Sequence, residues 1–183
     1  TGSILITHKG FSGPVILRLS AFSARNLHDN KYQGELRINW LCMTEDEVRS
    51  KLDLYKLENG KKFVLNNKPF HQLPRRLWKA LLLYENIDPQ LKWCDLSKNE
   101  KESLVKCLTM KSFKIISRGP FGEEFVTAGG VSLNEINFKT MESKICKGLF
   151  FAGEIIDIDG VTGGFNFQHC WTSAWVAGNS MNL

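Results

Sequence analysis

The stretch 148–168 is the feature that most limits how this chain can fold. An apolar run at 149–152 follows a glycine and predicts a short buried strand. Gly153 ends that strand, and three acidic residues follow it, namely Glu154, Asp157 and Asp159. In open α/β sheets, ligands lie at the carboxyl ends of the strands, where carboxylates can accept hydrogen bonds from the hydroxyl groups of a sugar or a sugar alcohol.

A glycine-rich loop and a helix complete this stretch. Gly160, Gly163 and Gly164 allow positive φ angles in the loop. Apolar residues then recur at helical spacing and predict one packed face, made by Phe167, Cys170, Trp171, Ala174, Trp175 and Gly178. The amino end of such a helix carries unpaired N–H groups and a partial positive charge, which attract a phosphate or the negative charge of a reduced flavin. In the alternative interpretation, the glycine pair is only a turn and the acidic residues are only solvated.

The stretch resembles the carboxyl-terminal flavin-binding motif of the aminoacetone-oxidase-like (BaiN-type) family of FAD-dependent oxidoreductases. That motif reads roughly G-L-[YF]-F-[AI]-G-E-x-x-D-x-x-G-x-x-G-G-[YF]-N-x-Q, followed by A-W. Two further blocks agree with the family, T-A-G-G-V at 127–131 with M-E-S-K at 141–144, and T-H-K-G-F-S-G-P at 7–14. Members of the family begin with a strand, a G-x-G-x-x-G turn and a helix that hold the FAD pyrophosphate, and this chain has no such motif. The resemblance therefore covers the second half of such an enzyme. A smaller departure is His169-Cys170, where the family usually has an apolar residue and a small one.

The resemblance implies a mixed α+β fold in three parts. A β-barrel-like middle domain would take residues 1–43 and 112–132, with a helical insertion subdomain at 44–111. Residues 133–183 would be the C-terminal strand, loop and helix of a Rossmann-like FAD-binding domain. Its partner would be the N-terminal FAD-binding half of the same protein.

The same resemblance implies which residues lie against FAD. They are Thr127, Gly129, Gly130, Gly153, Glu154, Asp157, Gly160, Gly163, Gly164, Phe165 and Asn166. Glu154 and Asp157 would contact the ribityl–phosphate region, and the tip of the helix would face the pyrimidine side of the ring. A β-bulge is the alternative interpretation of Gly129-Gly130. His8 is the candidate for proton transfer, because imidazole titrates near neutral pH.

Local patterns predict the other elements. The runs 4–6, 14–20, 35–40 and 113–116 are typical of strands, and 26–34 of a loop. Capping boxes at Thr44-Glu45-Asp46-Glu47 and Ser97-Lys98-Asn99-Glu100 predict two helix starts, and a third helix begins near Pro74. A turn is expected at 118–122 and a strand at 124–127.

Composition excludes several classes of function. The chain has 24 basic and 19 acidic residues, so its net charge of +5 suits an anionic ligand but makes nucleic acid an unlikely partner. A solvated helix face is the favoured interpretation of the basic patch Arg75, Arg76 and Lys79. Five scattered cysteines without a C-x-x-C pair indicate neither a metal site nor a disulfide framework. Without a signal peptide or a membrane-spanning run, we expect a cytoplasmic location.

The sequence thus predicts part of a FAD-dependent oxidoreductase. Such an enzyme passes electrons between a small organic substrate and NAD(P)H or oxygen, and the flavin carries the redox step. The 183 residues by themselves are expected to be inactive and to bind FAD weakly. The alternative is a non-enzymatic binding module that uses the helical subdomain and binds no flavin stably.

Overall fold

The computed structural model describes residues 1–117, 127–161 and 163–181, which divide into two compact units. The discontinuous unit combines Thr1–Gln33 with Ile116–Leu183, and the helical unit is Gly34–Ile115. Within the described residues the fold is mixed α/β, with five α-helices and three separate two-stranded antiparallel sheets.

The elements follow one another along the chain as follows. The first part contains β1 (Leu5–Thr7), β2 (Gly10–Ser12) and α1 (Pro14–Asp29). The helical unit contains β3 (Gly34–Ile38), α2 (Glu45–Asn59), α3 (Arg75–Tyr84), α4 (Lys98–Met110) and β4 (Lys111–Ile115). The last part contains β5 (Ile136–Asn137), β6 (Glu142–Ser143) and α5 (Phe165–Ser180). In the described part of the chain, no helix is both long enough and apolar enough to cross a bilayer.

The helical unit has a large core of its own. Both expected capping boxes are confirmed: Thr44 and Ser97 each accept the N–H group of the residue three positions on and begin α2 and α4. Trp78 and Trp93 are fully buried, and their indole N–H groups donate to the carbonyls of Val64 (3.0 Å) and Asn67 (2.8 Å). These two bonds tie the irregular segment between α2 and α3 to the core, because a buried indole N–H needs a partner. β3 pairs with β4 and joins the two ends of the unit, with Leu36 opposite Phe113.

The discontinuous unit has a much smaller core. Its buried apolar residues, as far as the structure describes it, are Ile136, Met141, Ile156 and Ala177. On α5, Ser173 and Ala177 are buried, whereas Phe167, Trp171 and Trp175 are exposed at 68%, 67% and 70%. The expected packed face of this helix is therefore wrong. Small residues let the backbone of α5 approach its neighbours closely, and the large aromatic residues lie on another side of the helix.

Two strand predictions are also wrong. Residues 14–20 lie in α1, because Pro14 occupies the first turn of a helix, where its missing N–H costs nothing. The expected loop from 26 also begins within that helix, which continues to Asp29. The run 149–152 forms only one isolated bridge, between Phe150 and Glu142, before a 3₁₀ turn at Gly153–Ile155.

The remaining predictions divide into those confirmed and those still untested. Strands near 4–6, 35–40 and 113–116 and a helix near Pro74 are confirmed within a few residues. The turn at 118–122 and most of the strand at 124–127 lie outside the described residues. The described strands form three separate pairs, so a barrel-like middle domain is not confirmed. The three-part division at 1–43, 44–111, 112–132 and 133–183 stays a prediction.

Candidate functional site

The acidic turn lies against the glycine block at 127–131. Val131 donates its N–H to the Ile155 carbonyl (2.8 Å), and Asp157 donates its N–H to the Val131 carbonyl (3.1 Å). At Gly130, a Cβ atom would lie 2.4 Å from the Ile155 oxygen and 2.9 Å from the Asp157 nitrogen. Since φ is also +145° there, only glycine allows the two segments to pair so closely. The structure thus brings together two blocks that the sequence assigned to the same site.

The start of the acidic turn is anchored on α5. Gly153 donates its N–H to the Ser173 hydroxyl (2.9 Å), which in turn donates to the His169 carbonyl within the helix (2.7 Å). Glu154 follows in the turn with an exposed side chain. The sequence predicts no role for Ser173, so this anchoring was missed. Ser173 is one of several polar residues along α5, so no local signal sets it apart.

The loop that leads to α5 is shaped by the Asn166 side chain. Its Oδ1 accepts the N–H of Gly160 (2.7 Å), and its Nδ2 donates to the Gly160 carbonyl (3.1 Å). The two bonds close the loop between the acidic turn and the helix. The backbone N–H of Asn166 lies in the first turn of α5, where the helix itself supplies no carbonyl acceptor.

The amino end of α5 is open. Gly164 is the N-cap residue in the left-handed region (φ +97°), and no side chain caps the first turn. At both Gly163 and Gly164, a Cβ atom would meet no described atom within 4 Å. The first-turn N–H groups therefore have no side-chain partner among the described residues, and an uncapped helix start of this kind can bind an anion.

Arg25 of α1 was missed by sequence reasoning and is ion-paired with Asp157. This hydrogen bond, with the nearby Asp159 carboxylate, raises the pKa of the Arg25 guanidinium above its ordinary value. Arg25 and Asp159 also line an open groove of about 250 Å³, together with Ala21, Phe22 and Val161. The sequence predicts a strand at 14–20 and a loop from 26, so it does not predict the helix that carries Arg25.

Other predicted residues have different surroundings. His8 lies at the exposed two-residue turn of the β1–β2 hairpin, and no described contact joins it to the acidic turn. Thr127 is exposed, and Gly129 has open space beside it. In the block at 141–144, the Glu142 carboxylate accepts the Gly148 N–H (2.8 Å), which fixes the loop after β6.

Comparison with known proteins gives a family and several distant relatives. Residues 12–180 match the family described as "HI0933-like protein Rossmann domain". The chain is 29% identical over 181 residues to the ribosomal RNA dihydrouridine synthase of Escherichia coli K12, which covers 98% of this chain and 42% of that protein. It is 28% identical over 185 residues to the 3-dehydro-bile acid delta(4,6)-reductase of Clostridium scindens, covering 98% of this chain and 44% of that protein. The ribosomal RNA dihydrouridine synthase of Haemophilus influenzae is 29% identical over 179 residues, with 98% and 42% covered. The chain thus spans less than half the length of these curated relatives.

Proposed function

The chain belongs to the HI0933-like Rossmann-domain family, within the FAD-dependent oxidoreductase superfamily, and on that premise we propose that it is the carboxyl-terminal part of a flavin-dependent reductase. The single observation that carries this proposal is the uncapped, open amino end of α5 beside the acidic turn. The finer assignment to the aminoacetone-oxidase-like (BaiN-type) branch is part of the proposal.

The donor groups of the site fit a flavin. A bound FAD supplies hydride transfer, while the protein orients it and stabilises its charge. The first-turn N–H groups, beginning at Phe165, would face the pyrimidine side of the ring, where negative charge accumulates on reduction. Glu154 is exposed and free to accept hydrogen bonds from ribityl hydroxyls. Asp157 is ion-paired with Arg25, so the pair would offer the cofactor a hydrogen-bond donor in the guanidinium and an acceptor in the carboxylate.

The names of the relatives favour one type of reaction. A dihydrouridine synthase and a delta(4,6)-reductase each reduce carbon–carbon double bonds. We propose the same reaction for the whole protein: hydride and a proton add across an activated C=C bond, and NAD(P)H is oxidised to supply the hydride. The substrate is either a small organic molecule or a base within RNA. His8 is the proposed donor of the proton.

The exposed aromatic stripe of α5 is proposed to pack against the N-terminal FAD-binding half. Phe167, Trp171 and Trp175 recur every four residues, and the Phe167 and Trp171 rings stack with centroids 6.3 Å apart. Contiguous exposed aromatic residues of this size mark interaction surfaces. The relatives are more than twice as long as the matched region, which leaves ample chain to cover the stripe. A barrel-like middle domain and a cytoplasmic location are further parts of the proposal.

The test changes the charge at the helix tip without changing its shape. Gly163→Asp places a carboxylate in the open space before α5, and Gly163→Asn is the matched neutral control. Each variant is co-expressed with the part of the E. coli relative that lies outside the matched region, and the flavin absorbance of the purified complex is measured. We expect flavin to be retained by the parent chain and by Gly163→Asn, and to bind about tenfold more weakly to Gly163→Asp, since charges at helix ends contribute up to about 2 kcal/mol.

The reduction potential of the bound flavin gives a second readout. It should be lower in the Asp variant, because the anionic reduced form loses stabilisation. Equal flavin content and equal potentials in the Asp and Asn variants would refute the role of the helix tip. A complex that never retains flavin would favour the non-enzymatic binding module.

A further inference from the structure

Positive charge is distributed very unevenly between the two units. The helical unit contains 16 Lys and Arg against 11 Asp and Glu, whereas the rest of the chain contains 8 of each. The net charge of +5 therefore belongs entirely to the helical unit. Within it, the segment 59–84 contains no acidic residue and six basic ones, which are Lys61, Lys62, Lys68, Arg75, Arg76 and Lys79. We call this stretch the basic segment.

Hydrogen bonds join the two parts of the basic segment, the irregular stretch before α3 and α3 itself. Arg75 donates to the Asn66 side chain (2.8 Å), and the Trp78 indole donates to the Val64 carbonyl (3.0 Å), so the irregular part of the segment is tied to α3. At about 100° of rotation per residue, Arg75, Arg76 and Lys79 lie within about 100° of one another around α3. All three are exposed, whereas Trp78 is buried on another side.

A second chain segment adds to this surface. Phe63 forms a β-bridge with Lys92, which places that exposed lysine beside Lys61 and Lys62. Phe63 itself is 46% exposed among these cations. Cations interleaved with an exposed aromatic ring are typical of surfaces that bind single-stranded nucleic acid, where phosphates contact the cations and a base stacks on the ring.

Four cations elsewhere in the helical unit are neutralised by ion pairs within the described residues. Arg49 pairs with Glu102 (3.0 Å) and Lys111 with Glu85 (3.1 Å). In the basic segment, by contrast, no cation forms an ion pair with any described residue. The partners of its cations are neutral: Lys68, for example, donates to the carbonyls of Phe70 (3.2 Å) and His71 (3.1 Å). These charges remain available to an external anion.

We propose that the basic segment binds the phosphate backbone of RNA and so delivers an RNA substrate to the reductase. Composition alone favoured a solvated helix face and no nucleic acid, but it averages over the two units and hides the segregation of charge. The cations are spread over an irregular segment and a helix, which suits several phosphates along a strand better than one small anion. The biological use of this surface rests on the proposed function, whereas its RNA affinity does not depend on flavin.

The test compares two variants that each remove three positive charges from the helical unit. The first is Lys61→Gln/Arg76→Gln/Lys79→Gln in the basic segment. The control is Lys98→Gln/Lys106→Gln/Lys114→Gln, at exposed positions on α4 and β4. Binding of a fluorescein-labelled RNA hairpin with a uridine-containing loop is measured by anisotropy over a series of salt concentrations, and circular dichroism checks that each variant is folded.

The expected result is specific to the basic segment. The logarithm of the binding constant falls linearly with the logarithm of the salt concentration, and counterion release adds roughly 0.7–0.9 to the steepness of this slope for each phosphate contact. Loss of three contacts should therefore lower the slope by about 2 and weaken binding about a hundredfold at about 0.1 M salt. The control variant should retain the parent slope and bind within about threefold of the parent chain, since its charges act only at a distance.

Three outcomes would overturn the proposal. The first is an equal loss of RNA affinity in the two variants. The second is an unchanged RNA affinity in the basic-segment variant. The third is an absence of RNA binding by the parent chain. Vesicles containing phosphatidylserine are run in parallel, and vesicle binding without RNA binding would assign the surface to a membrane instead. The flavin content of Gly163→Asp is measured separately, so failure of the flavin site and failure of the RNA surface are distinguishable.

Discussion

Gly130→Ala tests whether the contact between the glycine block and the acidic turn holds the candidate site together. The new methyl group would lie 2.4 Å from the Ile155 oxygen and 2.9 Å from the Asp157 nitrogen. Both atoms belong to the backbone, so they cannot move aside as a flexible side chain would. The strand-like pairing of Val131 with this turn must therefore open or shift.

The free-energy cost of Gly130→Ala is the sum of two separate terms. A non-glycine residue at φ +145° costs about 1–3 kcal/mol in backbone strain. Overpacking against fixed neighbours costs about 1–3 kcal/mol more. Gly129→Ala is the matched control, because φ is also positive there (+108°) but no described atom lies within 4 Å of the new methyl group. The difference between the two variants isolates the overpacking term.

Hydrogen exchange followed by mass spectrometry measures this difference locally. The amides of Val131 and Asp157 are both bonded across the contact, so they report its opening. We expect exchange at these amides to be about 5- to 150-fold faster in Gly130→Ala than in Gly129→Ala, at 1.4 kcal/mol for each factor of ten. Peptides from α2 and α4 serve as the internal reference and should not change. Equal exchange in the two alanine variants would refute the close-contact argument.

Three further predictions concern the helical unit. Thr44→Ala removes the α2 cap and should lower the free energy of unfolding by about 1 kcal/mol in urea titrations, while Thr44→Ser should restore most of it. Burial raises the pKa of the Cys107 thiol to about 12, so Cys107 should not react with Ellman's reagent until the protein unfolds, unlike the exposed Cys42, Cys94 and Cys146. The Arg49 hydrogen bond lowers the pKa of Glu102 below 4.5 in the folded state, so its contribution to stability is present above that pH and is lost as pH falls through the folded-state pKa. Unfolding titrations from neutral to acid pH should therefore show Glu102→Gln destabilised at neutral pH and nearly equal to the parent chain in acid.

Local chemistry allowed the helical unit to be predicted well. Thr44 and Ser97 each stand three residues before a glutamate, and such a pair satisfies two backbone N–H groups whatever the tertiary surroundings are. The pairing of β3 with β4 was not predicted, but both strands were. In the candidate site, the expected positive φ is confirmed for Gly163 and Gly164 but not for Gly160, whose backbone is held by the Asn166 side chain instead.

Tertiary contacts explain what the sequence did not predict. Val15 and Ile16 favour a strand by local propensity, but Pro14 starts a helix that continues to Asp29. Arg25 reaches Asp157 across a large separation in sequence, and no local pattern reports such a pair. On α5, helical periodicity predicts that the aromatic face is packed, and this is wrong within the described residues, because periodicity does not show which face the rest of the chain covers. The small residues Ser173 and Ala177 make the contact that this chain supplies.

The aromatic stripe and the uncapped amino end belong to the same helix, α5, so a contact at one of them affects the other. Among its described residues the discontinuous unit buries four apolar side chains, which is a small contact area for a helix of 16 residues. Because Gly164 and Trp171 belong to the same helix, a protein surface that packs on the stripe also fixes the direction of the first-turn N–H groups. An anion at the tip in turn favours the fully formed helix, since it neutralises unpaired N–H groups there. Under the proposed function, docking of the N-terminal half and binding of FAD should therefore stabilise each other, which agrees with the expectation that the 183 residues by themselves bind FAD weakly.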